Sequence, residues 1–552
     1  MRILLVNPPI EDFFFTPQRA YPQGTLSLAT VLDQNGFKVR ILNCLEEYKK
    51  QTLKFPKDFS YLKEYYHPNE SPFCLFSNYY RFGIDDSEIV KVLRSFVPQI
   101  VGISANFTAY LNSSLELARS IKQVDKRTTV VIGGRAATAL PEIFLNNLYV
   151  DFVIRGEAEF SFLELCQSLK NKKLTSIEGL CYRRPTNKLI ISKSIALIKD
   201  LNSLPILNRR LINYREYKFQ GNISASLYAS RGCSMKCSFC AIKEPFRFRS
   251  ADNVLREIEY CYLLGIRHFN FEDDNINLNP ELERILDKLI QRFEGKIKIS
   301  FMNGLLSLGL NKIKEKLIKA GLTHLDLSIA SSSVALRKKM KRIENTKSIF
   351  SLADFMARNR IPTTVHFIIA YPKQVFKDAV RDIKLLASKK VILGASIFYP
   401  AIEADAFGSL NFGLGNYKSF RSSTACFDKY ILRDRIFLIF YFSRIVNFIK
   451  ELIGKFYIKQ VSLNSLLTKQ LGKLSHSNGQ LSSDVKLDRI TLGMLLLKKM
   501  IVEKSIYRLE EKRVQDGFIY RFIKEEFFNP DDVKLILTNL AVKGLNGGVI
   551  KI

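Results

Sequence analysis

Short runs rich in Val and Ile, apolar at nearly every residue, return at intervals through the first four hundred residues, and each is followed by an amphipathic run of helical spacing. Strands buried on both faces read this way. Their alternation with helices commits a chain to parallel sheets joined by helical crossovers. The first series, "RILLVN" (2–7), "FKVRIL" (37–42), "QIVGIS" (99–104), "TTVVIGG" (128–134) and "DFVIRG" (151–156), predicts five strands with helices between them. The expected fold of residues 1–175 is a doubly wound, Rossmann-like sheet, interrupted at about 45–83 by a Tyr- and Phe-rich insertion. A hairpin at 179–194 and an irregular linker fill 176–221.

The alternation resumes over 222–404 with a longer period. Six runs (224–230, 267–273, 297–303, 323–330, 363–370 and 391–398) predict strands, separated by helices at 252–265, 280–293, 309–320, 333–359 and 374–389. Six strands with five crossovers predict a partial (β/α)6 TIM-like barrel, whose chemistry belongs at the carboxyl ends of its strands. Residues 405–552 read as a mostly helical unit, with "SIYRLEEKRVQDGFIYRFIKEEFF" (505–528) its clearest amphipathic helix. The apolar stretch at 436–453 carries Arg444, Lys450 and Glu451, so it reads as a buried or docking helix rather than a transmembrane span.

The net charge of +31 admits nucleic acid or an anionic membrane as a partner. The lysines are spread along the chain without a basic block, which favours a solvated surface, and nucleic acid is not expected. The opening "MRILLVNPP" lacks the long apolar core and cleavage site of a secretory signal. A cytoplasmic setting follows, where clustered thiols are metal ligands or catalytic groups rather than disulfides.

Three of the nine cysteines, Cys233, Cys237 and Cys240, fall in "SRGCSMKCSFCAI", three residues beyond the first barrel strand and so on the catalytic face. A structural zinc site wants four ligands, usually in two pairs, and the nearest histidine, His268, is on another strand. A [4Fe–4S] cluster suits three thiolates that leave one iron open; zinc and chance clustering are the alternatives.

With Phe239 before the last cysteine and Arg231-Gly232 before the first, "CSMKCSFC" resembles the CxxxCxxC signature of the radical S-adenosylmethionine (SAM) family. The resemblance implies that Cys233, Cys237 and Cys240 ligate the cluster and that its open iron holds SAM by the amino and carboxylate groups. Reductive cleavage of SAM would then yield a 5′-deoxyadenosyl radical that takes hydrogen from an unactivated carbon. Phe239 would lie beside the adenine. "FNFEDDNINLNP" resembles the family's acidic stretch and marks Glu272, Asp273 and Asp274; "FMNGL" marks Asn303 and "LDLSIASSS" marks Ser328 as SAM contacts. Ala330 stands where the family commonly has glutamate, and "IIAYPKQ" replaces a more usual Gly-x-Pro-Gly.

"LLVNPP", "GIS", "VIGGRAAT" and "VIRGEAE" follow strands of the first series. In this order they resemble the cobalamin-binding domain of cobalamin-dependent radical SAM enzymes, implying Asn7, Ser104, Gly133, Gly134 and Glu157 as cobalamin contacts. The Asp-x-His-x-x-Gly that supplies a lower histidine in some cobalamin proteins is absent, and Ala136 stands where the family often has histidine. The implied activity is methylation of an unactivated carbon in a small-molecule substrate, of the secondary-metabolite or lipid-precursor kind, with an electron donor such as flavodoxin or ferredoxin. Oxidative cyclisation or rearrangement, methylthiolation, and a non-catalytic corrinoid- or cluster-binding role are the competing readings.

Overall fold

The structure is a computed structural model that describes residues 1–171, 176–342, 344–408, 417–471, 480–483, 485–515 and 517–552. The expected boundary at 175 falls outside these residues.

The first sheet contains β1 (Arg2–Asn7), β2 (Lys38–Asn43), β3 (Ile100–Ser104), β4 (Thr129–Gly133) and β5 (Phe152–Ile154), all parallel, in the order β5-β4-β3-β1-β2. The expected hairpin, β6 (Leu180–Arg183) and β7 (Leu189–Ile190), extends the same sheet antiparallel beyond β5. The strands read as continuously apolar because both faces are covered. Leu4, Val6, Val101, Ile103, Val130 and Ile132 pack on one side, and Ile3, Leu5, Ile100, Val131 and Ile154 on the other. Helix α1 (Gln23–Gln34) covers the second side through Ala29 and Leu32. The turn after β4 opens the short helix α2 (Arg135–Ala139).

The barrel strands are β8 (Asn222–Leu227), β9 (His268–Phe271), β10 (Lys298–Ser300), β11 (Leu325–Ala330), β12 (Thr363–Ile369) and β13 (Ile392–Ile397). They pair in parallel as two ladders, β8-β9-β10 and β11-β12-β13. Among the described residues, the ladders meet through isolated bridges, Ile299 with Leu322 and Leu305 with Leu327. Leu227, Phe269, Ile299, Leu327, Val365 and Phe367 point outward into the core under the helices. The alternate residues, Ser226, Asn270, Ser300, Asp326 and His366, therefore line the lumen, where Asn270 accepts from Ser300 and His366 contacts Asp326. Helix α3 (Ala251–Leu263) follows β8. The single helix expected over 333–359 is two, α4 (Val334–Lys339) and α5 (Thr346–Arg358), the second started by the Asn345 side chain accepting from the amides of Lys347 and Ser348.

The insertion forms a small antiparallel sheet, Ile10–Asp12 with Tyr79–Phe82 and Lys50–Leu53. Its aromatic residues pack on α6 (Arg433–Lys455), the stretch read as a buried helix. Tyr65 lies 4.6 Å from Phe437 and Phe73 5.2 Å from Phe448, ring centre to ring centre. No helix of the described residues is long and apolar enough to cross a membrane. The C-terminal region corrects the sequence reading at one place. The helix expected at 505–528 is an antiparallel hairpin, β14 (Tyr507–Val514) and β15 (Gly517–Lys524), with Val514 paired to Gly517. Alternation places Tyr507 and Leu509 on one face, as period two requires, and the Asp516-Gly517 dipeptide is a turn signal inside the run.

Candidate cofactor sites

The cysteine loop leaves the carboxyl end of β8 through a sequence that can turn in one way. Gly232 has φ +76°, and a Cβ there would stand 2.3 Å from the Pro245 carbonyl and 2.6 Å from that of Glu244. Only glycine lets the loop close on itself here. The Cys233 amide then donates to the Glu244 carbonyl (3.3 Å), and the Ser238 amide to that of Met340 (3.0 Å).

Each cysteine sulfur has an N–H donor nearby: Asn275 Nδ2 at 3.9 Å from Cys233, Arg342 Nη1 at 3.8 Å from Cys237, and the Ile242 amide at 3.4 Å from Cys240. Burial pushes the Cys233 and Cys240 thiols above their ordinary range, and the charges of Cys237 and Asp274 push the same way, which makes the three thiols electrostatic neighbours. Among the described residues no three His, Cys, Asp or Glu side chains close on a single ion. Three neighbouring thiols with a donor on each sulfur fit a cluster, because hydrogen bonds to sulfur stabilise the negative charge that thiolates and cluster carry. Phe239 packs against the group of Ala330, Met340, Tyr371 and Phe398. Ala330 sits at a bulge after Ser328, buried and at φ +59°. Its methyl group joins that apolar group where a carboxylate was the family's habit.

The acidic stretch after β9 divides into different jobs. Glu272 accepts from Ser226 Oγ (3.1 Å), Asn270 Nδ2 (2.7 Å) and Arg19 Nη1 (3.3 Å), at the rim of the lumen. Asn303 donates to the Glu272 carbonyl (2.8 Å) and accepts from Arg19 Nη1 (2.7 Å). Asp273 turns inward: it is 3% exposed, and its carboxylate accepts from the Ala229 amide (3.1 Å) and Ser230 Oγ (2.5 Å). Burial raises it to about 7. It braces the start of the cysteine loop from below. Asp274 accepts from the Gly232 amide (2.9 Å).

In the first sheet, Asn7 ends β1 and Ser104 ends β3. These neighbouring strands flank the point where the order β5-β4-β3-β1-β2 reverses, and ligands of such sheets bind in the crevice there. Asn7 Oδ1 accepts from Thr25 Oγ1 (2.8 Å), and Asn106 Nδ2 donates to Ser104 Oγ (3.1 Å). Around Gly133 a Cβ would meet only the Ile154 carbonyl, at 3.8 Å, so the strand end is open. Gly134, at φ +108°, would put a Cβ 2.6 Å from the Ala105 carbonyl. An open crevice with short polar side chains and a bare strand end fits a flat macrocycle lying on it. Glu157 is occupied otherwise: it takes Arg247 Nη1 (2.6 Å) and Nη2 (3.0 Å) and the Ile198 amide (2.8 Å).

Sequence reasoning missed the arginines that join the two strand-end faces. Arg231 Nη2 reaches Glu159 (2.8 Å), Arg247 reaches Glu157, Arg19 reaches Glu272, and Arg135 reaches Glu244 (3.3 Å) and Asp274 (3.8 Å). Their partners are up to 253 residues away, so local pattern carries no trace of them.

Residues 227–386 match the model of the radical SAM superfamily, and residues 77–165 that of the B12 binding domain. An uncharacterized methyltransferase of Pyrococcus horikoshii is 31% identical over 241 residues, covering 42% of this chain and 51% of that protein. A cytidylyl-2-hydroxyethylphosphonate methyltransferase of Streptomyces wedmorensis is 28% identical over 325 residues, covering 52% and 57%. The chain thus spans about half the length of these curated relatives. Among solved structures, the radical SAM methyltransferase TsrM from Kitasatospora setae, with cobalamin and a [4Fe–4S] cluster bound, superposes with a TM-score of 0.57 at 15% identity, over 74% of this chain and 77% of that one. That likeness is one of fold. The chain thus carries a B12 binding domain ahead of a radical SAM domain.

Proposed function

We propose that this enzyme methylates an unactivated carbon of a small molecule. The observation that carries the reading is the meeting of two strand-end faces: the cysteine loop beyond β8 and the segments that follow β4 and β5 of the first sheet are tied together by the Arg231–Glu159, Arg247–Glu157 and Arg135–Glu244 pairs. Its cofactors are a [4Fe–4S] cluster, SAM and cobalamin; when bound, they supply reductive SAM cleavage at the cluster and methyl transfer from cobalt. In this reading residues 1–175 form the cobalamin unit, 222–404 the SAM unit, and 405–552 close the substrate side.

The chain's own residues do the holding. Cys233, Cys237 and Cys240 supply thiolates, and Asn275, Arg342 and the Ile242 amide stabilise their charge. Phe239 offers a ring to the adenine. Glu272, Asn303 and Ser328 present acceptors and donors to the ammonium and ribose, with Glu272 pre-oriented by Ser226 and Asn270. Asn7, Ser104, Gly133 and Gly134 seat the corrinoid. The polar lumen, with Asp326 and His366 2.9 Å apart, receives a substrate that carries hydrogen-bonding groups. The expected setting is the cytoplasm, with a flavodoxin or ferredoxin as reductant. The two relatives described above are named methyltransferases, which supports methyl transfer, while an anaerobic magnesium-protoporphyrin IX monomethyl ester cyclase of Synechocystis sp., 26% identical over 294 residues, keeps cyclisation as the competing reading.

The test is oxygen-free reconstitution with iron, sulfide and hydroxocobalamin, followed by reduction with SAM present. 5′-Deoxyadenosine together with S-adenosylhomocysteine is the expected result. Deoxyadenosine alone would move the reading to cyclisation or rearrangement, and neither product would make the protein non-catalytic. C240A must lose most of the iron that wild type retains.

A further inference from the structure

Arg135 begins the turn where the corrinoid-binding reading, on which this inference rests, puts the cofactor. It follows Gly133 and Gly134 directly; a Cβ on Gly134 would stand 2.6 Å from the Ala105 carbonyl, which accepts from the Ala136 amide (3.0 Å). From this turn the side chain crosses to the barrel. Nη1 is 3.3 Å from Glu244 Oε1, and Nη2 is 3.8 Å from Asp274 Oδ1. These two carboxylates brace the cysteine loop, Glu244 from the loop's own return and Asp274 from the segment after β9. Asp274 holds the Gly232 amide (2.9 Å) just before Cys233, and Glu244 gives its carbonyl to the Cys233 amide (3.3 Å) just after the loop has passed Cys240. The side chains are partly exposed, at 45% for Arg135, 30% for Glu244 and 23% for Asp274, so the contact can shift without unfolding anything.

Without Arg135 these two acids would face each other beside three thiols, and a cluster on thiolates adds further negative charge there. With it, one guanidinium lies between both acids while its backbone continues the Gly133–Gly134 turn. We propose that Arg135 is a positioning residue that links the two cofactor sites: an ordered, cluster-bearing loop holds Arg135 across the interface, and this fixes the Gly133–Gly134 turn in the form that accepts the corrinoid. By reciprocity, corrinoid on the turn favours the ordered loop by the same factor.

The experiment measures binding. The full chain, prepared once without cluster and once reconstituted with iron and sulfide, is titrated with hydroxocobalamin under argon, and the dissociation constant is read from the absorbance of the bound corrinoid. Wild type is expected to bind about fivefold more tightly with the cluster present. In R135Q the ratio falls close to one, and R135K, which keeps charge but cannot hold two carboxylates at once, lies between. E244Q changes the partner on the other face and must reduce the ratio as R135Q does, which separates the link from damage to the turn. A ratio in R135Q and E244Q equal to that of wild type overturns the proposal. Absence of hydroxocobalamin binding by wild type in both preparations overturns the cobalamin reading itself, and with it this inference; binding by wild type at the same affinity in both overturns the link alone.

Discussion

Glu257 sits on α3 with 1% of its side chain exposed, between two arginines. Arg209 Nη2 donates to Oε1 at 2.5 Å and Arg249 Nη1 to Oε2 at 2.6 Å. Burial opposes its charge, but Arg249 and Arg209 outweigh that and hold the carboxyl below its usual range. The three residues join three parts of the molecule. Arg209, in the linker, also donates to Tyr21 (2.6 Å) and to Gln23 (3.3 Å), which opens α1. Arg249 ends the cysteine loop's return and donates to the Tyr228 carbonyl (2.7 Å). E257Q keeps the shape and removes the charge, leaving two buried guanidinium groups short of an anion. Breaking a buried pair in this way costs about 3–5 kcal/mol. For a unit the size of the barrel that corresponds to a fall of roughly 6–20 °C in midpoint, at about 2–4 °C per kcal/mol. Calorimetry of the cluster-free protein at pH 7 measures it, with iron retention after reconstitution as a second readout. The triple change R209M/E257L/R249M, which removes every charge of the set, is expected to recover much of the loss. A midpoint for E257Q within about 2 °C of wild type would refute the reasoning, since it would mean water reaches the arginines.

Two further outcomes follow from the geometry. His268 is 2% exposed, its Nδ1 2.7 Å from Ser224 Oγ, and burial lowers it to about 4. The unfolded chain takes up that proton near pH 6.5 and the folded one does not, so stability drops as pH falls from 6.5 to 4, by about 3 kcal/mol at the lower end. Urea midpoints at pH 7.5 and 4.5 should differ less in H268L than in wild type, and equal differences would count against the assignment. G232A places a side chain at φ +76° and against two carbonyls, a strain of about 1–3 kcal/mol in the backbone alone. It should cost most of the iron bound after reconstitution while leaving far-ultraviolet circular dichroism unchanged, and full iron content would show that the loop has another way to close.

How much of this was legible beforehand depended on whether the cause was local. Strands such as "RILLVN" and "TTVVIGG" carry their burial on both faces in their own composition, so they and the cysteine spacing could be read directly. The run at 507–524 satisfied helical and strand periods at once, and pairing between Val514 and Gly517 decided for the hairpin. The inward turn of Asp273 depended on the Ala229 amide and the Ser230 hydroxyl, and the diversion of Glu157 depended on Arg247, 90 residues away. Acid residues after a strand announce themselves; which cation or amide claims them is settled by tertiary contact.

The shared aromatic core of the insertion and α6 has a bearing on biosynthesis. Tyr65, Tyr66 and Phe73 complete their packing on Phe437, Tyr441 and Phe448, which leave the ribosome about 370 residues later. Until then the early segment presents bare rings, a surface that chaperones recognise, and the first sheet cannot settle into its final surroundings. Shortened versions ending near residue 404 would keep that face uncovered permanently, so expression of the first two units alone should give aggregates, and any minimal enzyme must retain α6.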